Sequence, residues 1–191
     1  MEAKLLTREQ RNSMYENHLS KDFHQDEVKS QEMIEQMILD EKYICYGFFQ
    51  ENQPQGYAYL IKAQGDKAIL LDYLVVFEEN RSKGYGSVFL TILKEELAHQ
   101  YKYLLAEVEN PAFSHTEKDK NIRERRIAFY KKNQFGISKV KSRVIKDDYN
   151  IIYLPLGATP SNEDIFSSMT HIYPRIFGED YWNKNIKVDP A

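Results

Sequence analysis

A strand-like segment that runs directly into a glycine-containing turn constrains the fold more than any other part of the sequence. From Ala68 to Phe77 nearly every residue is apolar, and many are β-branched or aromatic, which is typical of a strand covered on both faces. After a short loop, the segment from Arg81 to Gly86 opens a helix. Two glycines let the backbone approach a ligand, and the first N–H groups of a helix lack partners within it. The junction therefore predicts a pyrophosphate site.

Several folds bind phosphates in this way, and the residues distinguish between them. A P-loop needs Gly-Lys followed by Ser or Thr, whereas Lys83 precedes Gly84 here. A dinucleotide fingerprint needs a third glycine, and Phe89 stands at that position. The pattern Arg81-x-x-Gly84-x-Gly86, after a strand ending in Leu-Val-Val, resembles the coenzyme A signature of the GNAT superfamily of N-acetyltransferases. In that family the strand, loop and helix hold the pyrophosphate of acetyl-CoA.

Two later segments strengthen this resemblance because they follow in the order that the family requires. Tyr103 to Glu109 is an alternating strand, and Glu124 to Phe135 resembles the family's later helix with its Phe129-Tyr130 pair. The resemblance extends from about Leu5 to Leu156. It implies an α/β (α+β) fold with a mixed, mostly antiparallel twisted sheet of about six or seven strands flanked by helices. Residues 1–157 would form the acetyltransferase domain, and residues 158–191 a C-terminal helical extension packed on the domain or on a partner subunit.

Periodicity and turn residues predict the remaining elements. Thr7 with Gln10 resembles a capping box that opens a first helix, and Ser161 caps a helix in the C-terminal extension. Asn110 to Lys120 is predicted to be a long polar loop, which would act either as a lid or as a solvated connection. Further helices are predicted at Gln25 to Leu39, Val88 to Gln100 and Asn121 to Lys132, and further strands at Tyr43 to Phe49, Gly56 to Ala63, Ile137 to Lys146 and Tyr149 to Leu156.

Composition excludes several functional classes. The formal net charge of the 191 residues is −3, which gives no reason to expect binding to nucleic acid or to an anionic membrane. The N-terminal residues begin no secretory signal, and the single cysteine, Cys45, fits a reducing cytoplasm. The histidines lack metal-ligand spacing, so we expect no metal. Cys45 lies in a predicted strand and is expected to be a buried thiol rather than a nucleophile.

Acyl transfer to an amine needs a carboxylate near the acceptor. A lysine-type amine has a pKa of about 10.4 and cannot attack a thioester until it loses a proton. Asp72 is one candidate base, because a carboxylate inside an apolar strand is costly unless it is paired or used. Glu107 and Glu109 are the second candidates, on the neighbouring strand with side chains toward one face. Structural pairing, for example an ion pair between Arg126 and Glu107, or a water relay is the alternative for these acids.

The departing thiolate needs an acid, and the resemblance assigns that role to Tyr130. The alternative is a core tyrosine with a satisfied hydroxyl. Backbone N–H groups at Val75 and Val76 would bind the thioester oxygen, as the resemblance implies. The residues expected to contact the cofactor are Leu74, Val75, Val76, Arg81, Ser82, Lys83, Gly84, Tyr85, Gly86, Ser87, Arg126 and Tyr130.

These patterns predict an enzyme that moves an acetyl group from acetyl-CoA to a primary amine by direct attack in a ternary complex. The alternative is a non-catalytic acyl-CoA sensor or interaction module on the same fold. The acceptor would be a small molecule or a peptide, and the apolar helix stripe after Ser161 makes a homodimer a further possibility.

Overall fold

The computed structural model describes every residue except 24–27, 63, 64, 66 and 191, and eight strands of the described residues form one sheet. The order across the sheet is β1-β2-β3-β4-β5-β7-β6-β8, and the pairs β1–β2, β2–β3, β5–β7, β6–β7 and β6–β8 are antiparallel. The predicted α/β architecture is confirmed. The strands are β1 (Glu2–Leu5), β2 (Tyr43–Gln50), β3 (Gln53–Lys62), β4 (Ala68–Val76), β5 (Tyr103–Glu109), β6 (Gly136–Val144), β7 (Asp147–Pro155) and β8 (Ile186–Asp189).

Helices flank this sheet, and the connections also contain short 3-10 and π-helical turns. The α-helices are α1 (Arg8–Met14), α2 (Ser20–Asp22), α3 (Gln31–Leu39), α4 (Tyr85–Leu97), α5 (Glu117–Lys132), α6 (Asn162–Phe177) and α7 (Glu179–Asn185). A π-helical turn, Tyr15–Leu19, joins α1 to α2, and 3-10 turns occur at Glu78–Asn80 and Pro111–Phe113. No helix of the described residues is both long and apolar enough to cross a lipid bilayer.

The chain divides into two compact units, of which the first contains Met1–Lys62 and Leu71–Leu93. The predicted capping box at the start of α1 is present: the Thr7 hydroxyl accepts from the Gln10 amide at 3.3 Å, and the Gln10 side chain accepts from the Thr7 amide at 2.9 Å. The predicted second helix starts too early, because Ser30 is the N-cap of α3 and residues 28–30 are not helical. Residues 25–27 of that prediction lie outside the described residues.

Aromatic stacking organises the core of the first unit. The ring of Phe48 in β2 stacks on Phe89 of α4 with centroids 4.0 Å apart, and both side chains are fully buried. His18, in the π-helical turn, stacks on Phe77 at 3.8 Å. The helix that follows the glycine turn is therefore fixed against the sheet of its own unit by a large apolar contact.

The second unit contains Ala63–Leu70 and Lys94–Ala191. Strand β5 pairs with β7 in a continuous register from Tyr103↔Pro155 to Glu109↔Tyr149. The β6 strand pairs with β7 on one side and with β8 on the other. Because β8 belongs to the C-terminal extension, that extension adds a strand to the sheet as well as helices.

The segment predicted as a long loop is largely structured, so that prediction is wrong. Pro111–Phe113 forms a 3-10 turn, and Asn110 accepts a hydrogen bond from the Ala112 amide at 3.1 Å. The Thr116 side chain accepts from the Asp119 amide at 3.1 Å, so α5 begins at Glu117 rather than at Asn121. Threonine at an N-cap followed by acids in the first turn is the signal that sequence reasoning overlooked here.

The C-terminal helix α6 buries its apolar stripe against its own chain. Ser161 forms the predicted N-terminal cap, together with Asp164 in a reciprocal capping box. Ile165, Met169, Ile172 and Tyr173 are all buried, and α6 packs against β6 and β8. The assignment of residues 158–191 to a separate extension stays a prediction.

Candidate functional site

The predicted strand, turn and helix are present at the end of β4. The chain passes from Val76 through the 3-10 turn to the segment Arg81–Gly84, and α4 begins at Tyr85. Two residues of the turn have left-handed backbone conformations, Gly84 with φ 84° and Ser82 with φ 62°. Left-handed residues in a turn aim successive backbone N–H groups to one side, which is the arrangement that binds anions. The left-handed serine has no sequence signal, because serine rarely adopts this conformation.

The turn exposes its cationic residues and its glycine to solvent. Arg81, Ser82, Lys83 and Gly84 are all exposed. The Arg81 Nε donates to the Val76 carbonyl at 3.1 Å, and the Lys83 Nζ lies 3.4 Å from the Asn80 Oδ1. A Cβ atom built on Gly84 meets no other group within 4 Å. The turn can therefore receive an anionic ligand without displacing protein atoms.

The helix side of the junction is anchored within the first unit. The Tyr85 hydroxyl donates to the Gln50 side chain at 3.0 Å, and the Ser87 carbonyl accepts from the Thr91 hydroxyl at 3.0 Å. Gly86 and Ser87 lie in the first turn of α4. On the strand side, Val75 is buried, whereas Leu74 and Val76 are partly exposed.

Gly56 in β3 supports this junction, and sequence reasoning did not single it out. A Cβ atom at this position would lie 2.2 Å from the Val75 carbonyl oxygen and 2.5 Å from the Phe89 ring. No side chain fits there, so the close approach of β3 to the end of β4 depends on glycine. A glycine inside an apolar strand pattern is the signal that could have identified it.

Asp72 is held in a polar contact inside the first unit. Both carboxylate oxygens accept from the Lys29 Nζ, at 2.9 and 2.8 Å, and the Tyr43 hydroxyl donates to Oδ2. The side chains of Lys29 and Asp72 are only 11% and 14% exposed. Burial and the Asp72 charge both raise the pKa of Tyr43, so its hydroxyl keeps its proton and donates a hydrogen bond to the carboxylate. The ammonium of Lys29 also lies 5.2 Å from the Tyr73 ring centroid.

Glu107 is bonded to hydroxyl groups in the second unit. The hydroxyls of Tyr173 and Ser142 both donate to its Oε1, the latter at 3.1 Å. Glu107 is partly exposed, whereas Tyr173 and Ser142 are buried. Sequence analysis missed Tyr173 because it is one of several apolar residues in the α6 stripe and nothing local connects it to β5.

Arg126 of α5 forms an ion pair with a different glutamate from the one named for that pair in the sequence analysis. Arg126 forms an ion pair with Glu109, which lies two residues after Glu107 on the same face of β5. The Arg126 side chain is 46% exposed, so this ion pair contributes little to stability.

Two aromatic rings contact the ring of Tyr130, which is partly exposed. Phe129 and Phe135 contact its ring edge-on, with centroids 5.2 and 4.9 Å away. Burial raises the pKa of Tyr130 to about 12, and Arg126 partly opposes that shift. The hydroxyl is therefore fully protonated at neutral pH and can serve as a proton donor.

Cys45 is buried, and burial raises its pKa strongly, which leaves the thiol protonated and inert. The described residues contain no group of three or more His, Cys, Asp or Glu side chains that could hold a metal ion.

Comparison with known proteins gives matches in structure only. No family profile and no curated protein sequence matches the chain. A GNAT-family acetyltransferase from Bacteroides thetaiotaomicron, so described, superposes with a TM-score of 0.75 at 17% identity, covering 93% of this chain and 99% of its own. A Bacillus subtilis acetyltransferase in complex with CoA gives a TM-score of 0.57 at 15% identity, covering 81% of this chain and 97% of its own. The chain has the GNAT fold.

An aminoglycoside 6'-N-acetyltransferase complexed with coenzyme A also has this GNAT fold. It superposes with a TM-score of 0.60 at 16% identity, over 84% of this chain and 100% of its own. The Bacteroides protein covers enough of the chain to include part of the segment after residue 157.

Proposed function

We propose that this protein is an N-acetyltransferase that uses acetyl-CoA to acetylate a primary amine. The observation that carries the proposal is the exposed turn from Arg81 to Ser87, with two left-handed residues, two cations and the start of α4. A helix N-terminus and backbone N–H groups favour a pyrophosphate at such a turn. Two of the proteins that share the GNAT fold contain CoA in their solved structures, which supports the same cofactor here.

Bound acetyl-CoA supplies the acetyl group as an activated thioester. The residues proposed to contact it are those predicted from the sequence, from Leu74 to Val76 and from Arg81 to Ser87, together with Arg126 and Tyr130. Backbone N–H groups at Val75 and Val76 are proposed to donate to the thioester oxygen. Tyr130 is proposed as the acid that protonates the sulfur, because it keeps its proton at neutral pH.

Glu107 is our first choice for the base that accepts the proton of the amine, and Asp72 is the alternative. Both oxygens of Asp72 accept from the Lys29 ammonium, and an adjacent cation disfavours protonation of the carboxylate. Glu107 accepts from neutral hydroxyl groups and is partly exposed. The Lys29 ammonium therefore weakens Asp72 as a proton acceptor.

Direct attack by the amine is proposed because the buried, protonated Cys45 offers no nucleophile for a covalent acetyl-enzyme. The second candidate function is an acyl-CoA sensor without turnover. The exposed phosphate turn serves both functions equally well, whereas the partly exposed, protonated Tyr130 favours the enzyme.

The test is release of free thiol from acetyl-CoA in the presence of a panel of polyamines, amino acids, aminoglycosides and peptides. Aminoglycosides are included because one protein with the same fold acts on them. We expect acceptor-dependent thiol release with at least one amine. Tight binding of CoA by calorimetry without thiol release for any acceptor would favour the sensor. No binding of CoA would refute both functions.

A further inference from the structure

The C-terminal extension makes one direct contact with the carboxylate of Glu107 and further contacts with the residues that bind this carboxylate. Helix α6 contributes Tyr173, whose hydroxyl donates to Oε1 of Glu107. The next helix, α7, contributes Trp182, whose ring stacks on Tyr173 with centroids 5.6 Å apart and planes 21° apart. Strand β8 pairs with β6 so that Val188 lies opposite Ser142, the second residue that donates to Oε1.

Tyr173 is held rigidly in this position. It is 1% exposed, and the rings of Phe177 and Trp182 lie beside its own. Burial and the charge of Glu107 both raise the pKa of Tyr173, so its hydroxyl remains a donor at all physiological pH values. A donor with a fixed position also fixes the rotamer of the carboxylate that accepts from it.

We propose that Tyr173 is a positioning residue for Glu107, so that the C-terminal extension forms part of the catalytic apparatus. This inference rests on the proposed function and on Glu107 as the base. Hydrogen bonds to a carboxylate favour its charged form, so Tyr173 also helps to keep Glu107 deprotonated before the amine binds. The extension thereby adds a donor to the one that Ser142 of β6 supplies.

Other polar groups lie near Glu107 and Tyr173. Tyr149 of β7 adds to the electrostatic environment of Tyr173, and Ser142 of β6 contacts the same cluster. On the strand of Glu107 itself, the charge of Glu109 is paired with Arg126 of α5. Tyr173 is the hydroxyl donor to Glu107 that the extension contributes.

The test is Tyr173→Phe, which keeps the ring and removes the donor. We expect kcat to fall about tenfold at neutral pH, since displacing a catalytic group by a fraction of an ångström has effects of this size. The KM for acetyl-CoA should be unchanged. The acidic limb of the pH profile of kcat should move to higher pH by about one unit, because a hydrogen bond to a charged group is lost.

Tyr181→Phe is the matched control, because Tyr181 lies in the same extension and is 37% exposed. Its kcat and pH profile should equal those of the wild type. Ser142→Ala removes the other donor to the same oxygen, so it should shift the acidic limb in the same direction as Tyr173→Phe. If Tyr173→Phe does not fold, the pH profile of Ser142→Ala tests whether hydroxyl donors to Glu107 affect kcat.

Several results would overturn the proposal. Unchanged kcat and an unchanged acidic limb in folded Tyr173→Phe, or in Ser142→Ala if the former does not fold, would make the contact structural. Full turnover in Glu107→Gln would remove the base that Tyr173 is proposed to position. If the wild-type protein acetylates no amine, the proposed function itself is refuted. This result is distinct from the others because it is obtained before any variant is compared.

Discussion

Replacing Asp72 by Asn tests whether the ion pair of Asp72 and Lys29 stabilises the fold. The change removes the charge but retains the size of the side chain. It leaves the Lys29 ammonium, 11% exposed, without the carboxylate that contacts it at 2.8 and 2.9 Å. Removing one partner of a buried ion pair costs about 3–5 kcal/mol, and the remaining exposure places this pair at the lower end, about 3 kcal/mol.

The assay is urea denaturation of four proteins: the wild type, Asp72→Asn, Lys29→Met and the double variant. Unfolding should be followed by circular dichroism and by the fluorescence of Trp182, the one tryptophan of the chain, since coincident curves establish a two-state transition. We expect the double variant to be more stable than the sum of the single changes predicts. A loss below about 1 kcal/mol in Asp72→Asn, or strict additivity, would refute a stabilising ion pair.

The same variant separates the two candidate bases. If Glu107 is the base, the folded fraction of Asp72→Asn should turn over acceptor at close to the wild-type rate, and Glu107→Gln should lose most activity. If Asp72→Asn is inactive while it remains as stable as the wild type, the base is Asp72. The activities are compared without denaturant and at low temperature, where the destabilised variant remains folded.

Three further predictions concern the cofactor and the acid. Tyr130→Phe should lower kcat at least tenfold at neutral pH with unchanged thermal stability, since the ring contacts with Phe129 and Phe135 remain; normal turnover would make Tyr130 a packing residue. Gly84→Val should abolish CoA binding in calorimetry because a β-branched residue does not adopt φ 84° without strain, and unchanged affinity would argue against this site. Gly56→Ala should cost about 1–3 kcal/mol in urea denaturation, because its Cβ would lie 2.2 Å from the Val75 carbonyl oxygen; wild-type stability would mean that β3 shifts freely.

Local sequence patterns determined much of the fold and part of the candidate site. The apolar run of β4, the turn with Gly84 and the stripe of α4 predicted the strand, turn and helix in their observed order. Capping signals at Thr7 and Ser161 predicted the starts of α1 and α6. Helix caps and helix stripes depend on contacts between residues at most four positions apart, and a buried strand shows as a continuous apolar run. Both signals can be recognised from the local sequence.

Tertiary structure alone decided which partners the candidate residues have. Lys29 is 43 positions from Asp72, and Tyr173 is 66 positions from Glu107, so no local period connects either pair. The edge strands β1 and β8 were likewise not predicted, because each has only four residues and depends on pairing with β2 or β6. The sequence determined which carboxylates are available, whereas packing between distant segments placed the Lys29 ammonium beside Asp72 and the Tyr173 hydroxyl beside Glu107.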